Sequence, residues 1–115
     1  MNPGRVNATI RAVSEWIDHS PDNRDRDREA LLWGRVTKVG EEVGEVIAAL
    51  IGATGQNPRK GHSATLQDVE RELLDVAMTA LAAVAHLHTG DAEPPDLLGL
   101  LAGHVETVAR RVGAA

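Results

Sequence analysis

The 115-residue sequence sets 12 Lys and Arg against 17 Asp and Glu, a formal net charge of -5, and contains no cysteine. Its length suits one compact domain, residues 1–115, its charge argues against electrostatic capture of a DNA or RNA polymer, and its lack of thiols rules out disulfides and thiolate metal sites. Phe and Tyr are absent and Trp16 and Trp33 stand alone as large aromatics, so a core must be built from Leu, Val, Ile and Ala.

Asn2-Pro3 reads as an N-cap followed by Pro at the first helical position, and Val6, Ile10, Val13 and Ile17 then recur at helical spacing. Ser20-Pro21 ends this first helix, because the residue before Pro is pushed out of the α region. Pro21 to Asp27 alternates in charge and reads as a solvated linker running into a second helix. That helix carries Leu31, Leu32, Val36, Val39, Val43, Val46, Ile47 and Leu50. Gly52 and Gly55 read as stop signals. The stretch from Gly52 to Gly61, with three glycines, one proline and the adjacent cations Arg59 and Lys60, reads as a loop. A third helix begins at a cap on Ser63 or Thr65 and runs to about Thr89, with Gly90 as its C-cap. After the break at Asp91 to Pro95, a last helix uses Leu97, Leu98, Leu100, Leu101, Val105, Val108 and Val112. Nothing alternates with period two, so the expected class is all-α, a four-helix bundle-like domain.

The most apolar stretch, Val76 to Leu87, is too short to span a bilayer and contains His86. The N-terminus lacks an adjoining apolar segment of the secretory kind. No membrane partner and a cytoplasmic location are therefore the expectation. A chain of this size buries only about two-thirds of its unfolded surface by itself, so a homo-oligomer that shares its core is expected as well.

The second and third helices carry a near-repeat, Glu42-Val43-Gly44-Glu45-Val46 and Glu72-Leu73-Leu74-Asp75-Val76. At a helical advance of about 100° per residue, Val39, Val43, Val46, Ile47 and Leu50 form one stripe and Glu42 and Glu45 fall off it. Val69, Leu73, Val76, Ala80 and Val84 form the matching stripe, with Glu72 and Asp75 off it at the same phase. Both acidic faces continue into small residues, Ala48 and Ala49 on one helix and Thr79 and Ala82 on the other. Acids three apart on a helix are neighbours and repel. A solvated acidic face is one reading of such a pair. Two pairs in matched phase also form a platform of hard oxygen ligands suited to a divalent cation such as Mg²⁺.

Glu41-Glu42-Val43-Gly44-Glu45 followed by Glu72-Leu73-Leu74-Asp75-Val76 resembles the all-α nucleoside triphosphate pyrophosphohydrolases of the MazG type, a superfamily that includes dCTP pyrophosphatase, dimeric dUTPase and phosphoribosyl-ATP pyrophosphatase. Lys38-Val39-Gly40 fits the usual lead-in to the first pair, and the likeness is strongest from about Lys38 to Leu81. The resemblance implies that Glu42, Glu45, Glu72 and Asp75 bind Mg²⁺, with Mn²⁺ as a substitute, and that the chain hydrolyses a (deoxy)nucleoside triphosphate between the α and β phosphates in nucleotide-pool housekeeping. It implies that Glu41 helps activate the attacking water, and that the chain works as a homodimer or homotetramer. Relatives place a Tyr one turn after the final Asp, where this chain has Thr79, and they hold phosphate and sugar from a last helix that here offers His104, Glu106, Arg110 and Arg111. Phosphate contacts are therefore assigned to Lys38, Arg59 and Lys60.

The remaining substrate-contact candidates each have a plain alternative. Trp33 either stacks on a base or packs in the core; Trp16 reads as core. Asn57 either reads a base or forms a turn. His86 and His88, two apart, point to different faces and do not share a metal. Two rival functions remain at this level: a pyrophosphohydrolase acting on another nucleotide metabolite such as phosphoribosyl-ATP, and a non-enzymatic helical dimerisation or regulatory module whose acidic face docks a basic partner.

Overall fold

A computed structural model describes residues 1–114. They form four helices, α1 (Pro3–Asp18), α2 (Arg28–Thr54), α3 (Leu66–Leu87) and α4 (Leu97–Arg111), and no strand occurs among them. Asn2 caps α1 by accepting from the Arg5 amide, with Pro in the first turn, and Asp27 caps α2 by accepting from Ala30. Thr65 caps α3 in a reciprocal box: its hydroxyl accepts from the Asp68 amide while the Asp68 carboxylate accepts from the Thr65 amide. No described helix is long and apolar enough to cross a membrane.

One predicted stop is overturned. Gly52 lies inside α2, which ends at Gly55 with the left-handed φ of 66° that a side chain would resist. Gly52 is instead where the start of the third-helix segment crosses closely: its carbonyl accepts from the Ser63 amide, and a Cβ there would lie 2.7 Å from the Ser63 hydroxyl and 3.0 Å from the Ala64 methyl.

α2 and α3 form an antiparallel pair. Gly52 meets Ser63 at one end, Glu45 and Glu42 meet Glu72 midway, and Arg35 meets Ala82 at the other end. α1 runs parallel to α3, with Ser14 bonded to the Ala82 carbonyl and Asp18 to His86. The small residues Ala82, Ala83 and Ala85 are buried and let the three helices approach, around a core of Ile10 and Leu97 with Val6, Met78, Leu81 and Val84 packed against it.

Two expected stripes are divided by this packing. On α2 the side turned inward from Arg35 onward carries Val39, Glu42, Val46 and Ala49, whereas Val43, Ile47 and Leu50 are exposed. On α3 Val69, Val76, Ala80 and Val84 are half-buried and Leu73 is exposed. The acid-bearing side of α2 thus faces α3, and much of the apolar side faces out. α1 departs similarly: its buried residues are Asn7, Ile10, Ser14 and Asp18, one helical face that is mostly polar. α4 joins through its first turn, where Asn7 donates to the Asp96 carboxylate and accepts from the Leu98 amide, and Leu97 is buried to 1% exposure.

Candidate metal centre and adjoining cavity

The antiparallel register brings three of the four predicted acids together. Carboxylate oxygens of Glu42, Glu45 and Glu72 all lie within 4.8 Å of one another. Glu42 and Glu72 are half-buried between α2 and α3 and Glu45 is exposed at the rim. Asp75 is exposed one turn along α3 and is not part of this group.

The cluster is electrostatically unsatisfied. The Glu45 carboxyl is held above its ordinary value, first by repulsion from Glu42, then by partial desolvation, and further by Glu72. Glu72 Oε2 is buried and has no hydrogen-bond partner. Buried polar atoms are ordinarily paired, and like charges this close are costly in a partly dry cleft. Three hard oxygens, on side chains one of which keeps an orphan oxygen, fit a Mg²⁺-type cation, which takes carboxylates together with substrate phosphates and water.

Lys38 is the only cation that contacts the cluster among the described residues. Its ammonium lies 3.1 Å from Glu41 and 3.4 Å from Glu42, and these partners, Glu41 foremost, raise its pKa. A lysine expected at phosphate is here engaged by two carboxylates. Glu41 is exposed beside the cluster, on the solvent side of Lys38.

Lys38 also lines a cavity of about 620 Å³ between α1, α2 and α3, a volume within the usual range for small-molecule sites. Thr79 lines it too, with Val13, Ile17, Leu31 and Met78 as apolar wall. Trp16 contributes to its mouth, whereas Trp33 does not. Both tryptophans are exposed, Trp16 at 72% and Trp33 at 66%, so neither packs in the core. Of the two, Trp16 alone stands beside the cavity.

Three other predicted contacts lie away from this centre. Arg59 and Lys60 are exposed on the loop beyond the C-terminus of α2 and line no part of the cavity. Asn57 is a turn former: its side chain accepts from the Arg59 amide, and its carbonyl accepts from the amides of Lys60 and Gly61.

Arg35, which no sequence motif singles out, lines the cavity and anchors a polar cluster behind it. Arg35 is buried and donates to the Ser14 hydroxyl at 2.9 Å and to the Ala82 carbonyl at 2.9 Å, 3.9 Å from Asp18. Burial lowers its pKa, and Asp18 works in the opposite direction. Asp18 in turn lies 2.6 Å from His86 Nδ1. A usable signal existed: Arg35 stands in helical phase with Val39, Glu42 and Val46, and Ser14 and Asp18 are spaced by one turn. Asn23 and Arg26, from the linker, close one side of the cavity.

No protein-family model, no curated protein and no solved structure matches this chain.

Proposed function

We propose that this protein is a Mg²⁺-dependent nucleoside triphosphate pyrophosphohydrolase, releasing a nucleoside monophosphate and pyrophosphate. The observation that carries the reading is the convergence of Glu42, Glu45 and Glu72, with one Glu72 oxygen buried and unpaired, beside Lys38, which also lines a cavity of nucleoside size. The likeness of the two acidic segments to the MazG-type pattern supports the same reaction, and a homodimer or homotetramer as the working form.

Glu42, Glu45 and Glu72 would hold the cation, with Asp75, one turn from Glu72, as the source of a fourth carboxylate. Bound there, Mg²⁺ supplies charge neutralisation for the polyphosphate, the main requirement of phosphoryl transfer. Glu41 accepts a proton from the attacking water; it is an exposed carboxylate beside the cluster, oriented by its ion pair with Lys38. The Lys38 ammonium offsets the negative charge of Glu41 and Glu42, and the same residue lines the cavity. The cavity receives the nucleoside, its apolar wall against the base and Trp16 at the mouth.

The test is incubation with a panel of ribo- and deoxynucleoside triphosphates and Mg²⁺, reading pyrophosphate and monophosphate. Release by the wild-type chain, and its loss in Glu42→Gln and Glu72→Gln with helicity unchanged, is expected. Absence of product from every nucleotide, or product that persists in EDTA, contradicts the proposal.

A further inference from the structure

The cavity between α1, α2 and α3 is lined by three cations, Arg26, Arg35 and Lys38, and by no carboxylate among the described residues. That wall stands out in a chain of net charge -5. Two of the cations are engaged. Lys38 pairs with Glu41 and Glu42, and both terminal nitrogens of Arg35 donate to Ser14 and Ala82.

Arg26 differs from both. Its Nε donates to the Asp22 carbonyl at 3.0 Å and to the Asn23 side-chain oxygen at 3.1 Å, whereas its Nη atoms meet no partner among the described residues. Asp22, Asp25 and Asp27 share its linker, yet none of them forms an ion pair with it. Asn23 sets the arrangement. It is half-buried, and its Nδ2 donates to the Ile17 carbonyl near the end of α1 at 3.0 Å while its Oδ1 accepts from Arg26. A guanidinium held by Nε alone keeps its terminal N–H groups as a planar fork of donors.

The position of that fork follows from the helix. The α2 residues that line the cavity run from Ala30 to Lys38, about 12 Å along the axis. Lys38 marks the end beside the acidic cluster, where a polyphosphate belongs. Arg26 precedes the first residue of α2 and so belongs to the other end. A nucleotide with its phosphates at the cluster turns its base toward the linker.

We infer that Arg26, positioned by Asn23, selects the base, and that the substrate class is the 6-oxopurine nucleotides, which carry guanine or hypoxanthine. The inference rests on the nucleoside site of the proposed function. O6 and N7 of these bases are adjacent acceptors, and a bidentate contact to them is the commonest specific one that arginine makes to a base. Adenine sets the N6 amino donor beside N7, so part of the fork faces a donor and loses its bond. Uracil separates its two carbonyls by an N–H and offers no such adjacent pair.

Calorimetric titration of the full chain with GMP, IMP, AMP, CMP and UMP in EDTA tests this without metal or turnover. GMP and IMP are each expected to bind at least about tenfold more tightly than the other three. Arg26→Met should bring the GMP-to-AMP ratio close to one. Arg26 is exposed, so the helical circular dichroism should be unchanged. The ratio separates base recognition from charge, since a cation that met only phosphate would weaken all five nucleotides alike. Failure to bind any of them, GMP or IMP binding no tighter than AMP, a preference for CMP or UMP, or a ratio that survives Arg26→Met overturns the inference. Turnover of the triphosphate panel reads the proposed function separately. A chain that hydrolyses triphosphates but binds the five monophosphates equally keeps that function and loses this inference. One that binds GMP and IMP selectively through Arg26 but hydrolyses nothing does the reverse.

Discussion

Arg35→Leu is predicted to be the most damaging single change outside the acidic cluster. The guanidinium is buried, donates to the Ser14 carbonyl and hydroxyl and to the Ala82 carbonyl, and stands 3.9 Å from Asp18. It therefore ties α2 to α1 and α3 at one point. Leucine removes the cation and leaves Asp18 buried with only His86 against it, although Asp18 Oδ1 already lacks a hydrogen bond. Breaking a buried pair on one side costs about 3–5 kcal/mol, chiefly by stranding the remaining charge. For 115 residues total stability is on the order of 6–17 kcal/mol, so the loss is a large share of it and should lower Tm by on the order of 10–20 °C. Urea titration followed by circular dichroism, at one fixed protomer concentration, measures it. The double variant Asp18→Asn/Arg35→Leu should recover a substantial part of the loss, because no buried charge is left alone. A single variant within about 1 kcal/mol of wild type, or a double variant as unstable as the sum of both singles, refutes the reasoning.

Three further outcomes follow from local geometry. Gly52→Ala should destabilise, because its Cβ meets Ala64 at 3.0 Å and the Ala64 backbone nitrogen at 3.3 Å; overpacking of about 1–3 kcal/mol exceeds the helix-propensity gain of up to about 1 kcal/mol. Gly44→Ala, with nothing within 4 Å, should instead raise stability by about 0.5–1 kcal/mol, and urea titration of both glycine variants measures the opposite signs. Thr65→Ala removes the α3 cap and should cost about 1 kcal/mol in urea titration. That variant should also show a weaker pH dependence: the residue-65 amide first, then the Thr65 hydroxyl and Arg71, hold the Asp68 pKa below its ordinary value, and the substitution removes only the hydroxyl. The stabilisation from this group is thus present above the ordinary Asp range and lost as pH falls through the depressed value. In acid titration the gap between wild type and Thr65→Ala should narrow at low pH without closing, because the cap bond from the Asp68 amide to the Thr65 hydroxyl does not titrate.

The helices were legible because their ends carry explicit chemistry: Asn2-Pro3, Thr65 with Asp68, and Gly55 at its positive φ. Gly52 misled because a glycine inside a helix and a glycine ending one are the same residue in sequence; only the crossing of Ser63 and Ala64 tells them apart. The acidic centre was three-quarters legible. Matched phase on two helices brought Glu42 and Glu45 to Glu72, but the exposed Asp75 depends on side-chain placement that spacing does not determine. The cavity was not legible in hydrophobic periodicity, because Arg35, which lines it, is held in a polar knot with Ser14 and Asp18 that reads as solvent-facing in sequence. Reading Trp16 and the α2 stripe as core rests on the premise that large apolar residues are buried by their own chain. The exposure of both, together with that of Leu101, Val105 and Val112 on α4, shows that premise failing for a protomer of this size.

Manganese titration followed by electron paramagnetic resonance tests the central claim most directly, with and without a non-hydrolysable nucleoside triphosphate analogue. The account predicts that the free-ion signal falls on adding the wild-type chain and that Mg²⁺ competes. Binding should be lost in Glu72→Gln and retained in Asp91→Asn, a carboxylate remote from the cluster. A signal that the wild-type chain leaves unchanged under both conditions, or equal binding by Glu72→Gln, contradicts it.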